Sequence, residues 1–183
     1  MDRKIDIAAN RSAAKWTRRE LAARICWEIF GSRAFAWSPR LGWGWGWRRS
    51  VLRLFGAKVG RDARIDPTVS IAIPWHLELG DFVGIGARAA LYSLGRITIG
   101  ESATISQNAH LCAGSHDFRG PAMELLKLPI TIGAGAWICA DAFVGPGVEI
   151  GDFAVVAARA VAVRNVAEGT VVAGNPAVPV GVR

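Results

Sequence analysis

Aliphatic residues recur at every sixth position through most of the chain between Val59 and Ala162, with small and polar residues between them. A period of six matches neither the 3.6-residue period of a helix nor the alternation of a simple strand. It is typical of a parallel β-helix, in which each short strand ends at a turn and successive coils stack. The series, with breaks in phase, runs through Val59, Ile65, Ile71, Leu79, Ile85, Leu91, Ile97, Ile99, Ile105, Leu111, Ile132, Ile138, Val144, Ile150, Val156 and Ala162.

The residues before the repeat predict a helical segment. Thr17 and Glu20 have the spacing of a capping box, so a helix is expected to begin there, to run to about Phe30 and to stop at Gly31. Apolar residues at a spacing of four form one face of this helix: Leu21, Ile25 and Ile29. Glycine and tryptophan then alternate towards residue 47, a poor helical pattern that predicts a loop or an extended arm over residues 37–47. A second short helix is expected over residues 48–55.

The positive charge belongs to the first third of the chain. Residues 1–60 contain thirteen Lys or Arg against four Asp or Glu, whereas the rest carries a small net negative charge, and the whole chain has a net charge of +7. Six of the eight tryptophans also lie before residue 50. One interpretation is a cap that covers the open end of the solenoid. Another, compatible with the first, is peripheral contact with an anionic membrane. No nucleic-acid reading motif accompanies these residues, so no nucleic-acid partner is expected.

Three features predict a cytoplasmic location. This location is compatible with peripheral contact at the inner face of the cell membrane. The chain contains no run of 18 or more apolar residues, and its start lacks the apolar core of a secretory signal. Its three cysteines, which include no CxxC pair, favour a reducing compartment.

We expect three parts: a basic, Trp-rich helical segment (residues 1–57), the repeat (residues 58–166) and a C-terminal tail (residues 167–183). A loop over residues 112–131 interrupts the repeat, and long loops in repeat folds are usually functional. This loop contains His116, whose imidazole could take and return a proton at neutral pH and so activate a hydroxyl. The alternative is a surface or hydrogen-bonded structural histidine. Asp117 is a candidate to orient the ring, although adjacent residues in an extended chain usually point to opposite faces.

A zinc site is a second alternative for the histidines. The chain has three: His76, His110 and His116. Three neutral imidazoles and a water would form a catalytic zinc site, and subunits of some β-helix proteins share such ligands. However, His76 falls in an irregular break of the repeat. We therefore expect no metal.

The sequence resembles the hexapeptide-repeat O-acetyltransferases, most closely the colanic-acid-biosynthesis type of sugar acetyltransferase. The resemblance rests on ISQNAHLCAGSHDF (residues 105–118), LPITIGAGAWICADAFVGPGVEIG (residues 128–151) and VVAGNPA (residues 171–177), and it covers roughly residues 40–180. It implies an all-β fold, a left-handed parallel β-helix of hexapeptide repeats with an N-terminal α-helical cap and a projecting loop. It also implies a homotrimer with active sites between subunits.

The resemblance further implies roles for individual residues. His116 matches the catalytic base, with Asp117 assigned beside it. The expected contacts to acetyl-CoA are Trp137, Ala140, Ala158, Arg164, Asn175, Pro176 and Arg183. The expected contacts to the acceptor are Tyr92, Ser93 and Arg119. Where the family has a glycine-rich turn, this chain has Arg159, which would change the lining of the cofactor edge.

The expected function is acetyl-CoA-dependent O-acetylation of a sugar hydroxyl in exopolysaccharide or envelope glycan biosynthesis, by direct transfer to a sugar or lipid-linked glycan acceptor. The alternatives are N-acetylation of an amino sugar, a non-catalytic β-helix scaffold, and a zinc-binding β-helix protein.

Overall fold

The computed structural model describes residues 5–183, and its body is a parallel β-helix of about six coils with one sheet along each of three faces. The first sheet contains β1 (Lys58–Val59), β4 (Leu77–Leu79), β7 (Ile97–Ile99), β12 (Ile130–Ile132) and β15 (Glu149–Ile150). The second contains β2 (Arg64–Ile65), β5 (Gly84–Ile85), β8 (Thr104–Ile105), β13 (Trp137–Ile138), β16 (Val155–Val156), β18 (Thr170–Gly174) and β19 (Ala177–Val182). The third contains β3 (Ser70–Ile71), β6 (Ala90–Tyr92), β9 (His110–Cys112), β14 (Phe143–Val144) and β17 (Val161–Ala162).

The aliphatic residues of the six-residue repeat form the core, as the sequence predicts. On the first face Val59 pairs with Leu79 and Leu79 with Ile99, and equivalent residues stack in the same way on the other faces. These aliphatic side chains are buried. The coil from Val59 to Leu79 and the coil from Leu79 to Ile99 are each two residues longer than three six-residue repeats. The repeat therefore shifts phase by two at Ile97 and Ile99, which both lie in β7.

The first coil would be left with unpaired carbonyl groups without the N-terminal segment. Strand N–H groups donate to carbonyls of the following coil, as Gly60 does to Leu79 and Arg64 to Val83. Carbonyls of the first coil therefore lack a preceding strand, and an unpaired buried carbonyl is costly.

Side chains of the N-terminal segment donate to these carbonyls on all three faces. Arg53 Nη2 donates to Val59 O at 2.6 Å, Arg48 Nε to Ile65 O at 2.5 Å, and Trp27 Nε1 to Ile71 O at 2.8 Å. The predicted cap is confirmed, and several of its basic residues are used as donors to the open end of the solenoid.

The described part of the N-terminal segment, residues 5–57, contains four α-helices: α1 (Ile7–Ser12), α2 (Arg18–Cys26), α3 (Ser32–Ala36) and α4 (Gly42–Leu54), with a π-helical turn at Trp27–Gly31 between α2 and α3. The capping box at Thr17 is confirmed. The predicted stop at Gly31 is wrong, because the backbone remains helical through this residue. Glycine serves close packing here, since a Cβ would lie only 2.3 Å from the Trp27 ring.

The predicted loop over residues 37–47 is also wrong in its second half, because residues 42–47 begin α4. A Cβ on Gly44 would lie 2.0 Å from the Pro39 carbonyl oxygen, so this close approach requires glycine. The Trp45 ring packs under the Arg48 guanidinium at 4.5 Å. The tertiary contacts of this helix thus outweigh its poor intrinsic propensity. The expected helix over residues 48–55 is the C-terminal part of α4.

The predicted apolar face of α2 points outward. Trp27 of the π-helical turn and Phe35 of α3 instead belong to the buried core, together with Val51 and Leu52 of α4. Leu21, Ile25 and Ile29 are each about half exposed. Within the described residues, no helix is long and apolar enough to cross a membrane.

Candidate functional site

His116 lies on the projecting loop, as predicted. The loop forms a short antiparallel hairpin of β10 (Ser115–His116) and β11 (Leu125–Leu126), in which His116 pairs with Leu125. The His116 side chain is exposed.

The structure identifies the group that orients the His116 ring. Nδ1 lies 2.7 Å from the carbonyl oxygen of Met123. Because a carbonyl oxygen only accepts hydrogen bonds, we assign the proton of the neutral ring to Nδ1, which leaves the lone pair of Nε2 free to accept a proton. This arrangement fits a general base.

Asp117 does not orient the ring, contrary to the sequence-based prediction. Its Oδ1 accepts a hydrogen bond from the Arg119 backbone N–H at 3.0 Å, and its own N–H donates to the Glu124 carbonyl at 2.8 Å. The carboxylate therefore stabilises the turn of the hairpin.

The three predicted acceptor contacts have different environments. Tyr92 is 43 % exposed on β6, and its ring meets the edge of the His110 ring at 6.4 Å between centroids. Arg119 is exposed on the loop. Ser93, by contrast, is fully buried, and its Oγ donates to Ile73 O at 2.8 Å and accepts from Ile73 N at 2.9 Å. Its hydroxyl joins two coils and is not available to a sugar, which corrects the prediction for this residue.

We expect Ser93→Ala to lower the free energy of unfolding by about 2 kcal/mol, because it leaves the buried N–H of Ile73 without a partner and leaves its carbonyl only the longer hydrogen bond from His76 N, at 3.3 Å. Denaturant unfolding at one fixed protein concentration measures this change. Ser12→Ala, which removes an exposed hydroxyl from α1, is the matched control and should change little. Equal effects of the two substitutions would contradict the structural role of Ser93.

Two of the predicted cofactor contacts stack at one corner of the solenoid. Ala140 follows β13 and Ala158 follows β16, at equivalent positions of successive coils. Arg159 N donates to Ala140 O at 3.0 Å, and Arg159 has a φ of 61°, in the left-handed region that favours glycine. Trp137 lies on β13, 46 % exposed, with its Nε1 donating to Ser106 Oγ at 2.8 Å.

The other predicted cofactor contacts lie nearer the C-terminus. Arg164 borders a cavity of about 270 Å³ between the last coil and the β18–β19 hairpin. Asn175 and Pro176 form the exposed tip of this hairpin. Arg183 Nη1 donates to the Gly135 carbonyl at 2.8 Å, at the turn that precedes β13. The structure therefore distributes these residues over the second face, both of its edges and the end of the third face, where Arg164 follows β17, instead of collecting them in one pocket.

The other histidines have structural surroundings. His76 Nδ1 lies 3.0 Å from Ser93 O. His110 packs against the edges of Tyr92 and Phe143, and burial lowers its pKa. Within residues 5–183, no three His, Cys, Asp or Glu side chains are grouped so that they could hold a metal ion.

Sequence reasoning missed the contact between α1 and the loop that carries His116. A cavity of about 490 Å³ lies along this contact, lined by Ala9, Asn10, Ala13, Ala14, Lys15, Ala122, Glu124, Leu125 and Lys127. The only local signal was Asp6, whose side chain accepts from Ala9 N and caps α1. The cavity borders β11, the strand paired with His116.

The chain is similar to acetyltransferases in sequence and in structure. It is 45% identical over 152 residues to a protein named as the colanic acid biosynthesis acetyltransferase WcaF of Escherichia coli, which covers 83% of this chain and 82% of that protein. A crystal structure of a maltose O-acetyltransferase from Clostridium difficile 630 matches with a TM-score of 0.81 at 19% identity, over 91% of this chain and 89% of that one.

A hexapeptide-repeat containing acetyltransferase of Vibrio cholerae O1 biovar eltor, complexed with acetyl coenzyme A, matches with a TM-score of 0.78 at 22% identity, over 92% of this chain and 91% of that one. No protein-family model matches the sequence. The structural matches share the fold, and the sequence match to the E. coli protein extends over most of both chains. The chain therefore belongs to the hexapeptide-repeat acetyltransferases, in the group of the colanic acid biosynthesis acetyltransferase.

Proposed function

We propose that this enzyme transfers the acetyl group of acetyl-CoA to a sugar hydroxyl in the synthesis of an exopolysaccharide or another envelope glycan, with His116 as the general base. The observation that most directly supports His116 as the base is the contact of its Nδ1 with the Met123 carbonyl, which leaves Nε2 unprotonated on an exposed loop. The name of the E. coli relative supports both the acetyl group and the glycan class.

In the proposed reaction, His116 Nε2 takes the proton of the acceptor hydroxyl as the oxygen attacks the thioester carbonyl carbon. The tetrahedral intermediate collapses with cleavage of the C–S bond, and the departing thiolate takes the proton from Nε2. The products are the sugar acetate ester and coenzyme A. The Met123 carbonyl stabilises the transient His116 imidazolium by accepting the hydrogen bond from its Nδ1–H.

Direct transfer fits the state of the two thiols in the solenoid. Burial raises the pKa of the Cys139 thiol, which disfavours the nucleophilic thiolate. Cys112 Sγ donates to the Gly114 carbonyl at 3.3 Å. The proposal therefore assigns no acetyl-enzyme intermediate to either residue.

We assign acetyl-CoA to the second face of the solenoid. The small side chains of Ala140 and Ala158 allow the pantetheine arm to approach the backbone at their shared corner, next to the exposed Trp137 ring. Arg164 and Arg183 offer cations for the phosphates. We assign Asn175 and Pro176 to the nucleotide end of acetyl-CoA.

The proposal includes a homotrimer with its active sites between subunits. Its support is the position of His116 on a projecting hairpin, where a neighbouring subunit can supply the remaining contacts. Sedimentation equilibrium should give a mass three times that of the 19.6-kDa chain.

Release of coenzyme A thiol from acetyl-CoA, measured with a panel of sugar and glycolipid acceptors, tests the proposed reaction. We expect release that depends on the acceptor. Calorimetric titration of the enzyme with acetyl-CoA, in the absence of an acceptor, reports binding separately from turnover. A protein that binds no acetyl-CoA would contradict the proposal.

The proposal also places this enzyme in the cytoplasm, where an exposed apolar surface of the N-terminal segment would contact the inner face of an anionic membrane. Phe30 and Trp37 are 66 % and 74 % exposed, and Arg33 lies between them on the same helical segment. Apolar side chains with neighbouring cations suit the headgroup region. A lipid-linked acceptor would be presented there.

Vesicle co-sedimentation of the double variant Phe30→Ser/Trp37→Ser tests this contact. We expect binding to phosphatidylglycerol vesicles to fall at least about tenfold, since ~1.4 kcal/mol of lost apolar transfer is sufficient. Phe118→Ser, which removes an equally exposed aromatic from the loop, is the control. Equal binding of wild type and double variant, or wild-type binding that does not distinguish anionic from neutral vesicles, would contradict the proposed surface.

A further inference from the structure

The first described residues of the chain pack on the loop that carries His116. Asp6 N donates to the Pro121 carbonyl at 2.8 Å, and Lys127 Nζ donates to the Lys15 carbonyl at 2.9 Å. The Lys127 ammonium also lies 3.6 Å from the centre of the Trp16 ring. These contacts join segments more than 100 residues apart and hold α1 against the hairpin.

Asn10 is the centre of this contact. Its Nδ2 donates to the Ala122 carbonyl at 2.6 Å and to the Met123 carbonyl at 2.7 Å, while its Oδ1 accepts from Lys15 Nζ at 2.8 Å. The Met123 carbonyl oxygen is also the acceptor for His116 Nδ1 at 2.7 Å. One oxygen, which has two lone pairs, thus joins Asn10 to His116.

The turn that presents this oxygen is strained. Met123 has a φ of 45°, in the left-handed region that residues other than glycine rarely adopt. Such a conformation persists when surrounding contacts hold it. The two hydrogen bonds from Asn10, to Met123 and to the residue before it, supply this restraint from outside the loop.

We infer that Asn10 is a positioning residue for the catalytic base: it fixes the Met123 carbonyl and thereby the ring orientation and tautomer of His116. This inference rests on the proposed function, because it assigns Asn10 a role only through His116. The N-terminal helix α1 accordingly forms part of the active-site architecture.

The test compares steady-state kinetics of Asn10→Asp and Asn10→Ala with those of the wild type. Asn10→Asp preserves the shape and the acceptor for Lys15 but removes both donors, and Asn10→Ala removes the amide without adding charge. We expect kcat to fall about 10- to 100-fold in both, as expected for a base displaced by about 1 Å, with KM for acetyl-CoA within about twofold of wild type. Lys127→Met, which removes a different contact of the same segment, should lower kcat much less.

Coupling to His116 separates positioning from general destabilisation. In a His116→Ala background, Asn10→Ala should not lower the residual rate further. An equal proportional loss in both backgrounds would overturn the inference.

Ring ¹⁵N spectra provide a readout that does not depend on activity. With three histidines in the chain and His116→Ala for assignment, the wild-type spectrum should show His116 with the proton on Nδ1. Asn10→Asp should shift the population towards the Nε2–H tautomer, and an unchanged spectrum together with wild-type kcat would overturn the inference. If His116→Ala itself left the activity intact, the proposed base would fail instead, so the two failures are distinguishable.

Discussion

Substitution of His116 by alanine is expected to lower acetyl transfer by about 10²- to 10⁴-fold, the usual contribution of a positioned general base. The physical reason is that an unassisted sugar hydroxyl would have to attack the thioester with its proton still bound. The measurement is the acceptor-dependent rate of coenzyme A release at saturating acetyl-CoA. The dissociation constant of acetyl-CoA should remain within about twofold, because in the proposed reaction His116 acts on the acceptor hydroxyl.

His116→Asn is the control that separates basicity from loop structure. An asparagine amide can still donate to the Met123 carbonyl, but it cannot take the proton. We therefore expect the melting temperature of this variant to equal that of the wild type, while its rate falls as far as in the alanine variant. A rate near that of the wild type would show that the proton goes elsewhere.

The second large effect is expected at Arg48, in the cap. This guanidinium is fully buried and donates to Ile65 O, Ser38 O, Ser38 Oγ and Pro39 O. Burial lowers its pKa, although an arginine remains protonated. Arg48→Met keeps much of the volume but leaves these oxygens without donors, so we expect a loss of about 3–5 kcal/mol in the free energy of unfolding.

Denaturant unfolding at fixed protein concentration tests the Arg48 prediction, with Arg19→Met as the matched control on the exposed surface of α2. Arg48→Lys provides a second variant if the methionine variant does not fold. Its single ammonium keeps the charge but cannot reach the same set of oxygens, so its stability should lie between those of wild type and Arg48→Met. Equal unfolding free energies for Arg48→Met and Arg19→Met would contradict the role of Arg48 in closing the solenoid.

The solenoid was predictable because its pattern is local and repeated. Val59, Leu79 and Ile99 stack directly on one another, so each aliphatic position in the sequence corresponds to one inward position in space. The interruption of that repeat likewise indicated the loop with His116.

The cap and the orientation of the base were not predictable in the same way. Gly44 lies in a helix because it packs against the Pro39 carbonyl, a contact that helix propensity does not represent. The Met123 carbonyl that orients His116 is a backbone atom, which a search among titratable side chains overlooks. Asn10 contacts it across 113 residues of sequence, a separation at which pattern reasoning from a single sequence carries no information.

The most direct test of the proposed acetyl transfer is to identify the product formed from acetyl-CoA labelled with ¹³C at the acetyl carbonyl. The experiment incubates the enzyme with the responding glycan and follows the label by NMR, for wild type and His116→Asn. The proposed reaction predicts a sugar acetate ester that accumulates in step with free coenzyme A and fails to accumulate with the variant. Label found as an amide, as free acetate or on the protein, or ester formation at the same rate by the variant, would contradict it.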